Sequence, residues 1–551
     1  MPKKISALEK ARNQYRPKLP AVLDKHGARV EGLAGDISKA VADKEQIAAL
    51  FPHTYGAPLI HFAGGAQGEY KPVNVGVILS GGQAPGGHNV IAGLYDGIRT
   101  LSQRSRLIGF LGGPDGLIRN KSIELTASVI EGYRNTGGFD IIGSGRTKLA
   151  TQEHFDAALK TCRAHELDAV VVIGGDDSNT NACVLAEYYA SIDAGVLVIG
   201  CPKTIDGDLK NEYIEASFGT DTACKLYSEL IGNIMRDAMS ARKYWHFVKL
   251  MGRSASHVTL ECALQTQPNI ALISEEVQAN STTLAEIVDH IASVVIERAQ
   301  NGHHFGVALI PEGLIEFIPA MGTLIGEVND LLARNPDLQD TLPVAVDVET
   351  LVASGLTEDS ATAYLQLPED IRMQLVMDRD DHGNVQVSRI ETEKLLITMV
   401  GQTVQERAAG TKFSSHAHFF GYEGRCAAPS NFDADYCYSL GFTAAALIGS
   451  GKTGYLSAVR GLEGPARDRL PCGVPITALM NMERRHGHEV PVIEKALVEL
   501  DGRPFKVFAK QREEWANENQ FVYPGPIQYF GDSTVCDQCT ATLTLERQID
   551  K

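Results

Sequence analysis

From residue 71 onwards the sequence repeats one pattern: a short apolar run, a glycine-rich turn, and then apolar residues at helical spacing. Residues 73–79 run into the turn 80–82 (SGG), and residues 169–173 run into the turn 174–177 (GGDD). Because these runs are almost entirely apolar, they indicate parallel strands covered by helices on both faces. Ligands of such sheets bind outside the carboxyl ends of the strands, where these turns fall.

The same pattern recurs later in the chain and predicts an α/β fold with two Rossmann-like parallel-sheet domains. Residues 1–70 form a predicted N-terminal extension, with helical character from about residue 31 to residue 50. Residues 314–390 are rich in acids and prolines without a strand rhythm, which predicts a mainly helical insertion. The predicted boundaries are 71–240 for the first α/β domain, 241–313 with 391–460 for the second, and 461–551 for a C-terminal segment returning to the main body.

Composition excludes several classes of protein. The chain has 551 residues, 44% of them hydrophobic, which is enough for one large or several ordinary cores. The formal net charge of −17 argues against nucleic acid or an anionic membrane as the main partner. No apolar stretch approaches the roughly 20 residues of a membrane helix, and the charged N-terminus lacks the apolar core of a secretory signal.

The cysteines lie mostly inside apolar runs, as at Cys183. This is typical of reduced, buried thiols and favours a cytoplasmic protein. Cys536 and Cys539 form one C-x-x-C pair, but no second ligand pair is spaced for a zinc site.

The turn 80–89 (SGGQAPGGHN) follows a predicted strand and opens a predicted helix. Glycines allow backbone N–H groups to approach a phosphate closely, and the helix N-terminus adds partial positive charge. A tight turn with a purely structural role explains the same residues equally well. The pattern is neither a P-loop nor a spaced G-x-G-x-x-G motif.

Asp176 and Asp177 in the turn 174–177 point more firmly to chemistry. Adjacent carboxylates after a buried strand repel each other, and a cation would offset that repulsion. Mg²⁺ is commonly held by one or two carboxylates together with phosphate oxygens. A purely structural turn remains the alternative. The motif also occurs in lipid and NAD kinases, so it indicates phosphoryl chemistry more firmly than a particular substrate.

A third motif, 202–211 (PKTIDGDLKN), contains Lys203, Asp206 and Asp208. A carboxylate that accepts the proton of an attacking hydroxyl is what kinase chemistry requires. Lys203 offers a compact positive charge to a diphosphate oxygen. The alternative is a solvated Asp-Gly turn with paired surface charges.

Taken in order, these motifs resemble those of the phosphofructokinase family. GGDD (174–177), PKTIDGD (202–208), MGR (251–253), PEG (311–313) and GYEGR (421–425) follow the family's order, with the glycine loop in front of them. The resemblance implies the phosphofructokinase fold and reversible phosphoryl transfer to the 1-hydroxyl of fructose 6-phosphate, a glycolytic reaction. It implies that the first α/β domain binds diphosphate and Mg²⁺ and the second binds fructose 6-phosphate.

On the donor side, the resemblance implies that Gly82 and Arg146 bind diphosphate, that Asp176 binds Mg²⁺, and that Asp206 accepts the proton of the sugar hydroxyl. ATP-using members usually have glycine where this chain has Asp177 and Lys203. Asp177 would repel the α-phosphate of a nucleotide, and Lys203 would stabilise the leaving phosphate. Both features match the diphosphate-using branch and its long form.

On the sugar side, Arg253 and Arg425 suit a phosphate because a guanidinium offers a fork of donors. Lys243 and Tyr244 fall where the family often lends residues to a neighbouring subunit's sugar site, which implies a homodimer. The positions that match the family's fructose 6-phosphate pocket are Thr204, Ile205, Asp206, Met251, Gly252, Arg253, Glu312, Tyr422, Glu423, Gly424 and Arg425.

Two alternatives stay open at this point. An ATP-dependent phosphofructokinase shares most of the motifs, although histidine is more usual in such enzymes at the position of Tyr422. A non-catalytic regulatory subunit would bind sugar phosphate without turnover, although such subunits tend to lack the aspartates and the lysine present here. The leading prediction is the diphosphate-dependent enzyme with Mg²⁺ as its cofactor.

Overall fold

The computed structural model describes residues 5–65, 68–335, 348–377, 385–485 and 488–548. The chain folds into two compact units, each assembled from segments that are distant in sequence. The first unit comprises Met1–Leu226, Tyr422–Ala496 and Ile527–Arg547, and the second comprises Tyr227–Gly421, Leu497–Pro526 and Gln548–Lys551. No helix among the described residues is both long and apolar enough to cross a membrane.

The strands are numbered along the chain. They are β1 (Val30–Ile37), β2 (Pro58–Gly65), β3 (Asn74–Leu79), β4 (Arg106–Phe110), β5 (Ser122–Glu124), β6 (Ala169–Gly174), β7 (Leu197–Thr204), β8 (Phe218–Gly219), β9 (Trp245–Leu250), β10 (Ile270–Ala271), β11 (Gly306–Pro311), β12 (Ser415–Phe420), β13 (Tyr455–Arg460), β14 (Leu470–Pro475), β15 (Met480–Arg485) and β16 (His488–Ile493).

Within its described residues, the first unit contains a ten-stranded sheet in the order β1-β2-β14-β13-β7-β6-β3-β4-β5, with β8 paired to β7. Its centre, β13-β7-β6-β3-β4, is parallel. The strands β3 and β6 are almost entirely buried, as expected for strands that consist mainly of apolar residues. The glycine turns therefore follow neighbouring parallel strands at one edge of the sheet.

Helices cover both faces of this sheet. The long helix Asn431–Gly449 packs closely on the helix Gly87–Leu101. A Cβ at Gly93 would lie 2.2 Å from the carbonyl oxygen of Tyr438, so glycine is needed where the two backbones meet. The other helices of this unit are Ala7–Arg12, Ala21–His26, Lys44–Leu50, Pro114–Ile118, Ala127–Glu131, Gln152–Ala164, Asp176–Ser191, Tyr422–Cys426, Ser533–Cys536 and Ala541–Arg547, with 3₁₀ turns at Ala466–Asp468 and Ile476–Leu479.

Within its described residues, the second unit contains a four-stranded, fully parallel sheet in the order β10-β11-β9-β12. Its core joins Phe247 and Ile310 of the sheet to Leu324, Tyr364 and Leu375. The helices of the predicted insertion therefore share one hydrophobic core with this sheet. The helices are His257–Thr266, Ser274–Ala279, Leu284–Gln300, Leu314–Phe317, Pro319–Arg334, Val348–Ala353, Glu358–Gln366, Glu369–Met377, Thr392–Arg407 and Arg503–Asn517, with a 3₁₀ turn at Val387–Arg389, and the helix Thr220–Ala241 spans the boundary between the units.

The prediction of α/β architecture with parallel sheets is confirmed, but three details of the organisation differ. Of the helical character expected over about residues 31–50, the helix Lys44–Leu50 is present, whereas the earlier part is the strand β1, which pairs with β2 and so joins the main sheet. The stretch 391–460 is divided, because β12 pairs with β9 whereas β13 pairs with β7 and β14. The stretch 461–551 contributes to both units. Strand pairing between distant parts of the chain decides the first two of these assignments.

Candidate active site

The loop after β3 is held by hydrogen bonds to two other loops of the first unit. The Ser178 hydroxyl donates to Ser80 Oγ at 2.8 Å, and the backbone N–H of Gly81 donates to the carbonyl oxygen of Gly145 at 3.0 Å. Gly81 has a φ of +81°, a backbone conformation that favours glycine. The loops that contain the predicted residues Gly82, Arg146 and Asp176 are thereby joined.

Two cations lie against this glycine loop. A Cβ built at Gly81 would be 3.4 Å from Lys203 Nζ, and one built at Gly82 would be 3.4 Å from Arg425 Cζ. The Nε atom of Arg425 is buried without a hydrogen-bond partner among the described residues. A loop of small residues flanked by an ammonium and a guanidinium is suited to an anion that carries phosphate oxygens.

Lys203 is itself buried, with 6% of its surface exposed. Burial lowers the pKa of this lysine to about 8, the neighbouring Arg425 and the more distant Arg146 lower it too, and Asp206 and Asp176 oppose them. An ammonium kept in such surroundings gains strongly from an anion that binds beside it. This result argues against a solvated Asp-Gly turn as the role of the motif 202–211.

Asp176 and Asp177 lie in the first turn of the helix Asp176–Ser191. The partial positive charge of a helix N-terminus favours carboxylates there, which offsets part of their mutual repulsion. The Asn179 side-chain amide fixes the turn by donating to the carbonyl oxygens of Gly174 and Gly175 at 2.6 and 2.9 Å.

The two carboxylates have different surroundings. Asp177 is half exposed, and its Oδ1 lies 4.0 Å from Lys148 Nζ. Asp176 is less exposed, and its Oδ2 lies 3.5 Å from Lys495 Nζ. Each aspartate thus faces a cation from a different segment of the first unit.

Asp206 follows the end of β7. Its backbone N–H donates to Thr204 Oγ1 at 3.0 Å, while its own Oδ1 is buried without a hydrogen-bond partner among the described residues. The carbonyl oxygen of Thr204 accepts from the hydroxyls of Ser217 and Thr220 at 3.1 and 2.9 Å, which fixes the strand end. A positioned carboxylate oxygen without a protein donor is free to accept a proton or a hydrogen bond from a ligand.

Asp208 and Ile205 are the buried neighbours of Asp206 in this turn. Burial raises the pKa of Asp208 above its ordinary value, and the charges of Asp206 and Asp176 raise it further. The sequence shows Asp208 in the motif but assigns it no role. The structure places it within electrostatic reach of both predicted functional aspartates.

The chemistry of these residues fits Mg²⁺. Carboxylates of Asp176, Asp206 and Asp208 act on one another electrostatically, and the unpartnered Asp206 Oδ1 leaves an oxygen for a ligand. Among the described residues no group of three or more His, Cys, Asp or Glu side chains is arranged to hold a metal by itself. In proteins, Mg²⁺ usually keeps several waters and takes phosphate oxygens beside one or two carboxylates.

In the second unit, the predicted sugar-site residues Met251, Gly252 and Glu312 lie together at the ends of β9 and β11. The backbone N–H of Gly252 donates to Glu312 Oε2 at 2.9 Å, and both residues are buried. A Cβ at Gly313 would lie 1.9 Å from the carbonyl oxygen of Arg253, so glycine is required beside that backbone. The Arg253 side chain itself is exposed.

Lys243 and Tyr244 lie just before β9. The Lys243 ammonium is 5.0 Å from the centroid of the Tyr244 ring, and that ring lies 4.5 Å from the ring of His416 on β12. Lys243 is exposed. The Tyr244 ring is therefore packed against His416, whereas the Lys243 side chain is exposed to solvent.

Tyr422, Glu423, Gly424 and Arg425 belong to the short helix Tyr422–Cys426 of the first unit. The sequence groups them with the sugar-site residues, whereas the structure brings Arg425 to the glycine loop at Gly82. Tyr422 is 67% exposed, and the Arg425 guanidinium lies 5.5 Å from its ring centroid. Sequence position gives no signal for this contact, because the two residues are far apart in the chain.

Known proteins share the sequence and the fold of this chain. Residues 74–448 match the model of the family described as phosphofructokinase. The chain is 59% identical over 547 residues to a protein of Porphyromonas gingivalis named pyrophosphate–fructose 6-phosphate 1-phosphotransferase, and the alignment covers 98% of this chain and 99% of that protein. A protein of Treponema pallidum with the same name is 53% identical over 557 residues, covering 98% of this chain and 97% of its own.

A solved structure, named as the pyrophosphate-dependent phosphofructokinase of Marinobacter aquaeolei, resembles the fold of this chain with a TM-score of 0.53. The match covers 87% of this chain and 97% of that chain at 14% identity, so it bears on the fold. The family predicted from the order of the motifs is confirmed by the family match and by the two relatives. The chain belongs to the phosphofructokinase family.

Proposed function

We propose that this protein transfers a phosphoryl group reversibly between diphosphate and the 1-hydroxyl of fructose 6-phosphate, giving fructose 1,6-bisphosphate and phosphate. The observation that carries the proposal is the buried Lys203 ammonium against Gly81, with Asp177 on the neighbouring helix turn. The names of the similar proteins from Porphyromonas gingivalis and Treponema pallidum support the same reaction.

The residues of the first unit would bind the phosphoryl donor and accept the proton of the sugar hydroxyl. The loop at Gly82, with Arg146 and Lys203, would hold the diphosphate, and Asp176 would hold Mg²⁺. Bound Mg²⁺ would neutralise negative charge on the phosphates. Asp206, whose Oδ1 lacks a partner among the described residues, would accept the proton of the sugar hydroxyl. Lys203 would stabilise the phosphate that leaves.

Asp177 would set the choice of donor. It lies in the first turn of the helix Asp176–Ser191 and is half exposed. A nucleotide would have to bring its α-phosphate towards this carboxylate, and the repulsion would disfavour ATP. Diphosphate ends before that position, so the carboxylate would cost it little.

The residues Arg253 and Glu312 of the second unit would bind fructose 6-phosphate. The exposed Arg253 guanidinium suits the sugar phosphate, and the buried Glu312 is fixed by the Gly252 N–H. Lys243 and Tyr244 would extend to the sugar site of a second copy of the chain, so the active protein would be a homodimer. The further sugar-site positions in this proposal are Thr204, Ile205, Met251, Tyr422, Glu423, Gly424 and Arg425.

The test is the donor dependence of fructose 1,6-bisphosphate formation by the purified chain with Mg²⁺. We expect turnover with diphosphate and at least about a hundredfold lower kcat/KM with ATP, since a close like-charge contact costs several kcal/mol. Comparable or better turnover with ATP would identify an ATP-dependent enzyme instead. No turnover with either donor, while fructose 6-phosphate still binds, would identify a regulatory subunit.

A further inference from the structure

A hairpin outside the family match brings a lysine to the proposed metal aspartate. The strands β15 and β16 pair in antiparallel register, and the chain continues from Ile493 to Lys495. The family model ends at residue 448, so this hairpin lies beyond it. Lys495 Nζ is 3.5 Å from Asp176 Oδ2.

The hairpin is fastened on both sides of the lysine, within the first unit. The backbone N–H of Ile493 donates to Thr180 Oγ1 at 3.2 Å, on the helix that begins at Asp176. The backbone N–H of Ala496 donates to the carbonyl oxygen of Asp208 at 2.7 Å. Ile493 is also part of the core beneath that helix. The backbone is therefore held on both sides of Lys495.

The charges around Lys495 are those that the proposed reaction uses. Asp176 is its ion-pair partner, and its positive charge also reaches Asp208. Burial and Asp206 raise the pKa of Asp208, and Lys495 opposes that rise. The side chain of Lys495 is 29% exposed, so solvent reaches the ion pair.

An ammonium and a divalent cation compete for one carboxylate. They attract the same oxygens and repel each other at short range. A metal that binds Asp176 must therefore displace the ammonium or hold it at a greater distance. A lysine carries its ammonium on a flexible four-carbon stem, so such a displacement does not require movement of the fastened backbone.

We propose that Lys495 is a positioning residue that occupies the Asp176 carboxylate until Mg²⁺ binds, and that it is then released from that carboxylate. This inference rests on the proposed role of Asp176 in holding Mg²⁺. It assigns a function to the C-terminal hairpin: to keep the aspartates paired while the metal is absent.

The test measures metal binding to the full chain without diphosphate or sugar, using Mn²⁺ and electron paramagnetic resonance at constant ionic strength. Replacing Lys495 by glutamine removes the competing charge, so we expect the Mn²⁺ dissociation constant to fall about three- to tenfold. Lys495→Arg keeps the charge and should stay within about twofold of wild type.

Lys506→Gln is the matched control, because Lys506 is an exposed lysine of the second unit whose Nζ lies 3.7 Å from Asp501 Oδ1, a carboxylate outside the proposed metal site. It should leave the Mn²⁺ dissociation constant unchanged. An unchanged or larger dissociation constant in Lys495→Gln would overturn the proposal, as would the absence of Mn²⁺ binding to wild type and variant alike.

If the Lys495 variants do not fold, a second measurement on the wild-type protein tests the proposal. In a crystal structure of the wild-type protein with Mg²⁺ and methylenediphosphonate, we expect Lys495 Nζ beyond the roughly 4 Å limit of an ion pair with Asp176. An intact ion pair beside bound Mg²⁺ would refute the exchange. Neither measurement depends on turnover, so failure of this proposal is distinct from failure of the donor test above.

Discussion

The guanidinium of Arg425 lies directly over the backbone of Gly82, where an added Cβ would approach Arg425 Cζ to 3.4 Å. The substitution Gly82→Ala would therefore place a methyl group between the glycine loop and this cation. We expect kcat/KM for diphosphate to fall about tenfold or more, because the methyl group would occupy space that the proposed diphosphate needs beside the loop and would misplace it. Steady-state kinetics with diphosphate as the varied substrate measures this.

The fold should tolerate the same change, since the contact is at the far end of a flexible side chain. The free energy of unfolding is expected to stay within about 1 kcal/mol of wild type. Gly326→Ala is the control, because a Cβ at Gly326 meets no described atom within 4 Å. If Gly82→Ala has the same diphosphate kinetics as the wild type, the contact between the glycine loop and Arg425 does not contribute to the use of diphosphate.

The second prediction concerns the proposed base. Asp206→Asn keeps the shape of the side chain but removes a carboxylate whose Oδ1 has no partner among the described residues. We expect kcat to fall about 10²–10⁴-fold with smaller changes in KM, because a general base acts mainly in the transition state. Asp468→Asn, at an exposed position, is the control. A variant that keeps more than about a third of wild-type kcat would rule out Asp206 as the base.

The third prediction concerns the choice of donor. Asp177→Gly should lower turnover with diphosphate and raise the relative use of ATP, and adding Lys203→Gly should extend both effects. We expect the donor ratio to shift at least about a hundredfold, because juxtaposed like charges cost several kcal/mol. The two effects should not simply add, since both residues border one proposed phosphate site.

The KM for fructose 6-phosphate serves as the internal control for these donor variants. It should move much less than the donor ratio, because the proposed sugar contacts Arg253 and Glu312 belong to the second unit. If the donor ratio of both variants stays within a few-fold of wild type, Asp177 and Lys203 do not set donor choice.

The fourth prediction uses the pKa of Lys203, which burial lowers to about 8. The ammonium is charged below this pH and loses its proton as the pH rises through it. Because kcat/KM reports the free enzyme, kcat/KM for diphosphate should decline as the pH rises from 7 to about 9.

Lys203→Arg is the matched control, because a guanidinium stays protonated throughout this range. Its kcat/KM should be lower but should lack this decline. Taking the ratio of wild type to variant at each pH cancels the titration of diphosphate itself. A ratio that does not change between pH 7 and about 9 would mean that the charge of Lys203 is not what diphosphate uses.

The fifth prediction tests the proposed homodimer. If Lys243 and Tyr244 reach a neighbour's sugar site, dilution to monomers should abolish activity without unfolding the chain. Mixing inactive Asp206→Asn with inactive Lys243→Ala should restore part of the activity, because a hybrid dimer holds one intact site. Sedimentation and circular dichroism follow assembly and folding. Fully active monomers would contradict a shared site.

Much of the site was predictable because its motifs follow parallel strands, whose carboxyl ends meet at one edge of a sheet. The apolar runs before the turns 80–82, 174–177 and 202–208 predict β3, β6 and β7, and these strands are neighbours in the order β7-β6-β3. The local sequence therefore determined which glycines, aspartates and lysine lie at the ends of these strands. The order of the motifs determined the family.

Tertiary structure alone decided which distant segments complete the site. The residues 30–37 carry no clear strand signal, and they become β1 because β2 offers backbone partners. Arg425 reaches Gly82, and Lys495 reaches Asp176, across hundreds of residues of chain. The sequence alone does not distinguish a charged residue at a functional site, such as Lys495, from one on the protein surface. The burial and strand pairing that distinguish them are properties of the folded chain as a whole.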